Sequence, residues 1–193
     1  MSLNPKIYNK LIRPKFAIKL YIERTINKLF NLKDDLVLDF GCGTGSNCYM
    51  FKPENYFGVD VDEGRIKYAK KLFPKHTFEI LEGNKIAFEN QTFDKVCIFA
   101  TIHHICDNDF KKYLPEIHRI LKPNGKIIAI EPCLFKGNRF RNWFMNFIDD
   151  GKHIRSETSY QELFDKKLFK VKVHKKFRKF FIYNELFFSA EKI

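Results

Sequence analysis

The feature that most constrains the fold is a glycine-rich turn that directly follows a short apolar run. Residues 36–47 read LVLDFGCGTGSN, so a strand pattern runs through Asp39 and is followed by Gly41, Gly43 and Gly45. Glycine has no Cβ, which permits a tight turn and lets a ligand approach the backbone closely. In an open parallel sheet the carboxyl ends of the strands are the expected ligand site. A helix beginning near Gly45 would direct its free N–H groups there and favour an anionic group.

The rest of the chain alternates short apolar runs with amphipathic segments, which predicts an α/β fold with a mostly parallel sheet. Strands are predicted at 36–40, 56–61, 77–81, 93–100 and 126–131, and helices at 14–30, 46–51, 62–73 and 108–121. The sequence SYQE at 159–162 matches a capping box that would open one more helix. Runs at 169–177 and 180–190 follow each other so closely that they can pair only as an antiparallel hairpin.

Two acids indicate the kind of ligand. Asp60 ends the second predicted strand, where a carboxylate can accept hydrogen bonds from both hydroxyls of a ribose. Its alternative role is to cap the helix that begins near Asp62. A dinucleotide site uses the spacing G-x-G-x-x-G, whereas this turn has G-x-G-x-G. Asp39 would repel a pyrophosphate but pair with an ammonium group, so the ligand predicted here is an aminoacyl nucleoside.

Four stretches of the sequence, in order and with matching gaps, resemble the class I S-adenosylmethionine-dependent methyltransferases. They are VLDFGCGTG, GVDVDEGRIKYAKK, LEGNKIAFENQTFDKV and the segment TIHHI to LPEIHRILKPNGKIIAIEP. The branch that they resemble is the small-molecule one, similar to ubiquinone- and menaquinone-biosynthesis methyltransferases. The resemblance covers residues 35–132 and implies a Rossmann-like, seven-stranded, mostly parallel sheet with an antiparallel last strand and helices on both faces.

The resemblance also implies a cofactor and the residues that bind it. The cofactor would be S-adenosyl-L-methionine, with S-adenosyl-L-homocysteine as the product. The glycines would approach its methionine part, Asp39 its amino group and Asp60 its ribose. Glu82 or Asn84 would meet the adenine, although the family has Asp after Gly where Leu81 and Glu82 stand here. The full predicted set is Asp39, Gly41, Gly43, Gly45, Asp60, Val61, Glu82, Gly83, Asn84, Phe99 and Ala100.

Catalysis would depend mainly on positioning, because the methyl group of such a cofactor is already activated. His103, His104 and Glu131 are the candidate catalytic residues, since they follow the fourth strand and end the fifth. A neutral histidine at the mouth of the site can accept a proton. The alternative is that either histidine packs structurally. No metal is predicted, because adjacent ligands rarely face one ion.

The segment 133–158 is the predicted substrate cover. Phe140, Trp143, Phe144 and Phe147 recur at helical spacing, as in either a core-packing helix or an apolar lid. Gly151 would serve as a hinge. The candidate substrate-binding residues are Trp143, His153, Arg155 and Tyr183.

The chain is predicted to be a single methyltransferase domain over 1–193. Its parts would be an N-terminal helical cap (1–33), a cofactor-binding core (34–132), the substrate cover (133–158), and a C-terminal helix and strand hairpin (159–193). Five cysteines without CxxC spacing, and no apolar leader or run of membrane-spanning length, predict a reduced cytoplasmic protein.

The predicted function is methyl transfer to an O, N or C atom of a small molecule, which could be anionic, apolar, aromatic or isoprenoid-like. The net charge of +12 lies in the flanks, and residues 136–193 carry 14 basic and seven acidic side chains. Basic flanks keep a second possibility open, methylation of RNA or another nucleic acid. A non-catalytic module that binds S-adenosylmethionine, and a nicotinamide-dependent oxidoreductase, are further alternatives. The oligomeric state is not predicted.

Overall fold

The computed structural model of the chain describes residues 18–30, 32, 34–149, 151–180 and 182–193. The backbone forms two compact units, Met1–Gly83 and Asn84–Ile193. The boundary between them lies inside the segment 34–132, which the sequence analysis treated as one cofactor-binding core. Most of the predicted N-terminal cap (1–33) lies outside the described residues.

Within its described residues, the first unit contains three parallel strands and two α-helices, besides 3-10 turns at Cys48–Met50 and Pro53–Asn55. The strands are β1 (Val37–Phe40), β2 (Tyr56–Asp60) and β3 (Thr77–Ile80), in the order β3-β2-β1. The helices are α1 (Arg24–Asn27), which continues π-helical turns at Ile18–Glu23, and α2 (Glu63–Leu72). Asp62 caps α2 by accepting a hydrogen bond from the Arg65 N–H at 3.0 Å.

Among the residues that the structure describes, the second unit contains five strands and three α-helices. Its elements are β4 (Phe93–Phe99), α3 (Asp107–Ile120), β5 (Leu121–Leu134), α4 (Arg139–Ile148), β6 (Arg155–Ser156), α5 (Glu157–Glu162), β7 (Phe169–Lys179) and β8 (Tyr183–Lys192). The strand order is β4-β5-β8-β7, with the short β6 also paired to β5. Buried side chains at Phe110, Leu114, Ile117 and Ile120 give α3 its apolar stripe.

The predicted fold class is confirmed. Strand pairs β1–β2, β2–β3, β4–β5 and β5–β6 are parallel, and β8 runs antiparallel to both β5 and β7. The C-terminal hairpin therefore forms where the sequence predicted it. Within the described residues, β7 is the edge strand of its unit, and its many lysines are an expected way to protect an edge from further pairing.

Two local predictions were wrong, and one short strand was not predicted. Only a single 3-10 turn, Cys48–Met50, follows the glycine turn, so no helix directs its N–H groups there. The capping box at 159–162 does not open a helix, because α5 begins earlier, with Ser156 accepting a hydrogen bond from the Ser159 N–H. The two-residue strand β6 was not predicted, since so short an element leaves no period in the sequence.

Candidate functional site

The glycine turn after β1 has the backbone that its sequence requires. Gly43 and Gly45 have φ of 55° and 75°, a region that side chains with a Cβ rarely adopt. A Cβ on Gly45 would lie 2.8 Å from the ring of Phe78, so this position cannot take another residue without displacement. A Cβ on Gly43 would approach only Asp60 and Arg65, at 4.0 and 3.9 Å. The turn is therefore packed on its inner side and open at Gly43.

Asp60, at the end of β2, holds this turn in place. Its Oδ2 accepts a hydrogen bond from the Gly43 N–H at 2.8 Å, and its Oδ1 accepts one from the Asp62 N–H at 2.9 Å. Each carboxylate oxygen has a second lone pair, so Asp60 can still accept hydrogen bonds from ribose hydroxyls. The alternative reading of Asp60 as the cap of α2 was wrong, because Asp62 is the capping residue.

Asp39 is buried, with 1% of its surface exposed, and its Oδ2 accepts a hydrogen bond from the Tyr56 hydroxyl at 2.8 Å. Burial, and then the nearby charge of Asp39, raise the pKa of Tyr56, so the phenol remains a donor. Gly58 makes room for this contact, because a Cβ there would lie 2.9 Å from the Tyr56 hydroxyl and 2.8 Å from Phe78. Sequence analysis missed Tyr56. The available signal was its position two residues before Gly58, which pairs with Asp39.

Asn47 is a second residue that sequence analysis missed. It ends the glycine-rich stretch and is 1% exposed. Neither polar atom of its side-chain amide has a hydrogen-bond partner among the residues that the structure describes. A buried unsatisfied polar group costs about 1–3 kcal/mol, so a ligand that pairs with this amide would relieve that cost.

The segment after β3 begins beside Asp60. The Leu81 N–H donates a hydrogen bond to the Asp60 carbonyl at 2.9 Å, and the predicted residues Glu82 and Gly83 follow in exposed positions. Val61 is also exposed, at 66%. The first unit thus presents an apolar side chain and an acid next to the predicted ribose-binding carboxylate. Asn84 is exposed at the start of the second unit.

In the second unit, the buried carboxylate of Glu131 organises the turn that follows β4. Glu131 is 0% exposed and accepts hydrogen bonds from the N–H groups of Thr101, Ile102 and His103, at 2.8, 3.0 and 3.2 Å. It also bonds the Nδ1 of His103 at 2.9 Å. These bonds make Glu131 a positioning residue for the turn.

The predicted residues Phe99 and Ala100 stand where this turn begins. Phe99 ends β4 and is buried. Ala100 has φ of 53°, which is uncommon for a residue with a Cβ, and its N–H donates a hydrogen bond to Ile130 at 2.8 Å. Local strain of this kind concentrates at functional sites.

His103 lies between two carboxylates. Its Nδ1 is 2.9 Å from Glu131 Oε2, and its Nε2 is 3.3 Å from Asp149 Oδ1. Burial alone would lower the pKa of His103, but the hydrogen bonds to Asp149 and Glu131, together with their charges, raise it to about 9. At neutral pH the ring is therefore protonated and donates both N–H groups. This placement contradicts the predicted role of His103 as a general base, because no nitrogen is left to accept a proton.

His104 is exposed, and its ring centroid lies 4.1 Å from that of His103. It remains the candidate proton acceptor of the pair. His103, His104 and Asp149 each bring one potential metal-ligand atom within 4.8 Å of the others. His103 already bonds Glu131 and Asp149 through its two ring nitrogens, and the absence of a metal stays a prediction.

Gly151 closes this cluster and is not the predicted hinge. A Cβ on Gly151 would lie 2.0 Å from His103 Cδ2 and 2.7 Å from Asp149 Oδ1. The Gly151 N–H donates a hydrogen bond to the same Asp149 oxygen, and the His153 N–H donates one to the His103 carbonyl at 2.9 Å. Glycine is needed here for close approach, and the segment is fastened to the turn after β4. We call the set His103, Glu131, Asp149 and Gly151 the histidine clamp.

Arg155 is also fastened, which argues against its predicted contact with a substrate. It is 7% exposed and makes five hydrogen bonds, to Asp107 twice and to the carbonyls of Ile102, Ile105 and His153. A guanidinium has five N–H donors, so all are used within the protein. The half-buried His153 and Tyr183 remain predicted substrate-binding residues.

The aromatic side chains of α4 divide between two sides of the helix. Phe140, Trp143 and Phe147 are 73%, 60% and 77% exposed, so core packing was the wrong interpretation for these three. Met145 is fully buried, whereas Phe144 is half-buried. Trp143 thus stands on the outer face of the helix and not among the buried groups around His103.

Cys133 does not have the properties of a nucleophile. Burial, and then the charge of Glu157, raise its pKa to about 12, so the thiol stays protonated. A methyltransferase that uses a cysteine nucleophile needs the thiolate. Cys133 therefore packs structurally.

Comparison with known proteins agrees with this geometry. Residues 38–129 match the family described as methyltransferase domain. Residues 38–129 are thus similar to a methyltransferase domain, and the resemblance to the class I S-adenosylmethionine-dependent enzymes is confirmed. The matched range contains the glycine turn, Asp60 and the turn after β4.

Relatives and solved structures of the same type are similar to this chain. An uncharacterised protein of Methanocaldococcus jannaschii is 35% identical over 126 residues, which is 64% of this chain and 53% of that protein. The demethylmenaquinone methyltransferase of Lactococcus lactis is 31% identical over 122 residues, 58% of this chain and 48% of that enzyme. The chain thus spans about half the length of the curated relatives that it matches.

The fold is shared over the whole chain with a SAM-dependent methyltransferase from Aquifex aeolicus. The TM-score is 0.70 at 21% identity, and all of both chains is covered. Within the described residues, no helix has the length and apolar character needed to cross a membrane.

Proposed function

We propose that this protein transfers a methyl group from S-adenosylmethionine to a small-molecule acceptor and releases S-adenosylhomocysteine. The observation that carries the proposal is the contact between Asp60 and the Gly43 N–H, which sets the proposed ribose-binding carboxylate beside an open glycine turn. The match of residues 38–129 to a methyltransferase domain supports it.

The residues of the first unit fit this cofactor. Asp39, fixed by Tyr56, would attract the amino group of the methionine part, and the open turn at Gly43 would admit its chain. Asp60 would accept the ribose hydroxyls. The buried amide of Asn47 has both donors and an acceptor to offer to polar groups of the cofactor.

The adenine would lie on the exposed side of the same unit. Val61 offers an apolar surface on which a base can rest, and Glu82 or Gly83 could meet its exocyclic amine. Asn84 remains an alternative partner for the adenine. Backbone groups of Phe99 and Ala100 are proposed to stand beside the methionine end.

When bound, the cofactor supplies a methyl carbon on a sulfonium, which the lone pair of an acceptor attacks in line while the sulfur–carbon bond breaks. The chain has to align the acceptor and exclude water, and positioning of this kind can lower a barrier by about 7–11 kcal/mol. Glu131 fixes the turn that carries His104, which would accept a proton from acceptors that must lose one. His103 would hold Glu131 and Asp149 together by hydrogen bonds and would not accept the proton.

The acceptor class is suggested by the relatives, which include demethylmenaquinone methyltransferases. An aromatic or isoprenoid-like acceptor therefore fits the family better than a nucleic acid does. The protonated thiol of Cys133 removes one route by which a nucleic-acid base would be activated. His153 and Tyr183 are the proposed acceptor-facing residues, whereas the predicted role of Trp143 is not retained, because it stands on the outer face of α4.

Calorimetry with S-adenosylmethionine and with NAD tests the cofactor. We expect heat from the first ligand and none from the second. Asp60→Ala should weaken S-adenosylmethionine binding at least tenfold, while Asp62→Ala, which removes a neighbouring acid, should not. Equal binding by Asp60→Ala, with an unchanged melting temperature to show that it is folded, would refute the assignment.

Transfer itself requires a second assay. The protein and tritiated S-adenosylmethionine should label a small-molecule or lipid fraction of a cell extract more than an RNA fraction. Labelling confined to RNA would overturn the acceptor class. Cofactor binding with no labelling of any fraction would indicate a binding module.

A further inference from the structure

Helix α4 carries an apolar ridge on its outer face. Phe140, Trp143 and Phe147 recur at helical spacing, and each is at least 60% exposed, with Ile148 at 50% next to them. Each ring is next to the following one along the helix. The centroids of Phe140 and Trp143 are 6.1 Å apart, and those of Trp143 and Phe147 are 5.7 Å apart, with the rings stacked. Single exposed apolar residues are ordinary, but a contiguous row of them marks an interaction surface.

The charged side chains of residues 136–148 are all basic, and Asp149, which follows α4, is paired with His103. Lys136 and Arg139 are exposed at the beginning of α4, and Arg141 is half-buried. No acidic residue occurs between Lys136 and Ile148. An aromatic face bordered by basic side chains is typical of helices that lie in the headgroup region of a bilayer.

A second basic and apolar segment is anchored next to α4. The turn of the β7–β8 hairpin exposes Phe180 and Ile182, at 47% and 44%, directly after Arg178 and Lys179. The inner side of α4 rests on the start of β8, where the Asn184 N–H donates a hydrogen bond to the sulfur of Met145 at 3.3 Å. The ridge and the hairpin turn therefore belong to one packed substructure of the second unit.

We propose that the outer face of α4, assisted by the hairpin turn, docks this protein on the surface of an anionic phospholipid bilayer. The aromatic side chains would enter the boundary between headgroups and acyl chains, and Lys136 and Arg139 would meet the lipid phosphates. Docking of this kind needs no spanning helix. It does not depend on the proposed methyl transfer, because it concerns a surface outside the cofactor site.

A second copy of the chain is a poorer occupant of this ridge. A ten-residue helix is about 15 Å long, and one such face supplies only a part of the roughly 800 Å² per partner that a stable dimer buries. RNA is a poorer occupant as well, because stacking needs open ring faces in a groove, whereas Trp143 and Phe147 stack on each other along a convex helix.

Trp143 is the only tryptophan in the sequence, so the emission of the unlabelled protein reports on the ridge directly. Vesicles of phosphatidylcholine with about 30% phosphatidylglycerol should shift the Trp143 emission to the blue and protect it from acrylamide. Vesicles of phosphatidylcholine alone should have a much smaller effect. Added salt should weaken binding, because it screens the basic residues.

Substitutions separate the ridge from other exposed apolar residues. Phe147→Ser and Arg139→Gln should each reduce the fraction that sediments with anionic vesicles, with a partition coefficient about tenfold lower for Phe147→Ser. Leu72→Ser, at a 44% exposed position on α2, is the matched control and should bind as the unaltered chain does.

The proposal would be overturned by unchanged Trp143 emission with anionic vesicles, or by equal losses in Phe147→Ser and Leu72→Ser. Light scattering without lipid that shows a dimer lost in Phe147→Ser would instead assign the ridge to self-association. Emission that shifts with RNA and not with vesicles would assign it to nucleic acid.

Discussion

The protonated state of His103 makes the stability of the protein depend on pH. In the folded chain the pKa of His103 is raised to about 9, whereas an unfolded histidine titrates near 6.5. Below pH 6.5 both states hold the proton, so the stabilisation from the clamp is complete. Above it the unfolded chain releases the proton first, and stability falls until the folded histidine also loses its proton near pH 9.

The size of the effect follows from the shift in pKa. One pKa unit corresponds to about 1.4 kcal/mol, so the clamp contributes about 3 kcal/mol that disappears between pH 6.5 and 9. The side chain of His103 is only 3% exposed, so solvent screens little of this interaction. The pH range in which His103 can be measured ends near 8.5, because thiols of the unfolded chain ionise above it. Burial holds the pKa of Cys42 and Cys133 higher in the folded state, so these thiols would add their own pH dependence.

Urea unfolding at several pH values from 6.0 to 8.5 measures this loss. The free energy of unfolding should fall by about 2–3 kcal/mol across that range. In His103→Gln, which keeps a polar side chain but cannot titrate, most of the fall should disappear. His104→Gln is the control, and we expect it to keep the slope because His104 is exposed.

Two results would refute this reasoning. One is a His103→Gln variant that folds and has the same pH slope as the unaltered chain. The other is an NMR titration of the His103 ring with a pKa below 7, which would show that the two carboxylates do not hold its proton.

Further predictions concern single contacts. Gly151→Ala should destabilise the protein by about 2–4 kcal/mol, because the new Cβ overlaps the His103 ring; urea unfolding checks it, with the exposed neighbour Lys152→Ala as control. Tyr56→Phe should cost about 1–3 kcal/mol, since it removes the donor to Asp39; a near-neutral result would contradict the assigned contact. Asn47→Ala should lower the affinity for S-adenosylmethionine in calorimetry without loss of stability, and unchanged affinity would show that the amide does not face the cofactor.

Local signals account for what the sequence predicted well. The glycine turn, Asp60 at the end of β2 and the C-terminal hairpin each depend on a few neighbouring residues whose backbone preferences agree. Asp60 shows the limit of such local signals. Its position at the end of β2 was predicted from the strand pattern alone, whereas its hydrogen bond to the Gly43 N–H was not.

The histidine clamp could not be predicted in this way. His103 and Asp149 are far apart in the sequence, and only the path of the chain after α4 brings them together. A histidine that follows a strand has the same sequence signal whether it accepts a proton or is held by two acids. The position of Arg155 could not be predicted either. It donates its five hydrogen bonds to residues that lie before α3, at its start and after it.

The ring of Phe78 limits which substitutions the neighbouring glycines can tolerate. It fills the space that side chains would need at both Gly45 and Gly58, with a Cβ at either position only 2.8 Å from the ring. An alanine at position 58 would need a smaller residue at position 78 and would still lie 2.9 Å from the Tyr56 hydroxyl and the Cys42 sulfur. Position 45 also needs a positive φ, which favours glycine. Among related chains we expect positions 58 and 78 to covary in size, while position 45 stays glycine whatever stands opposite it.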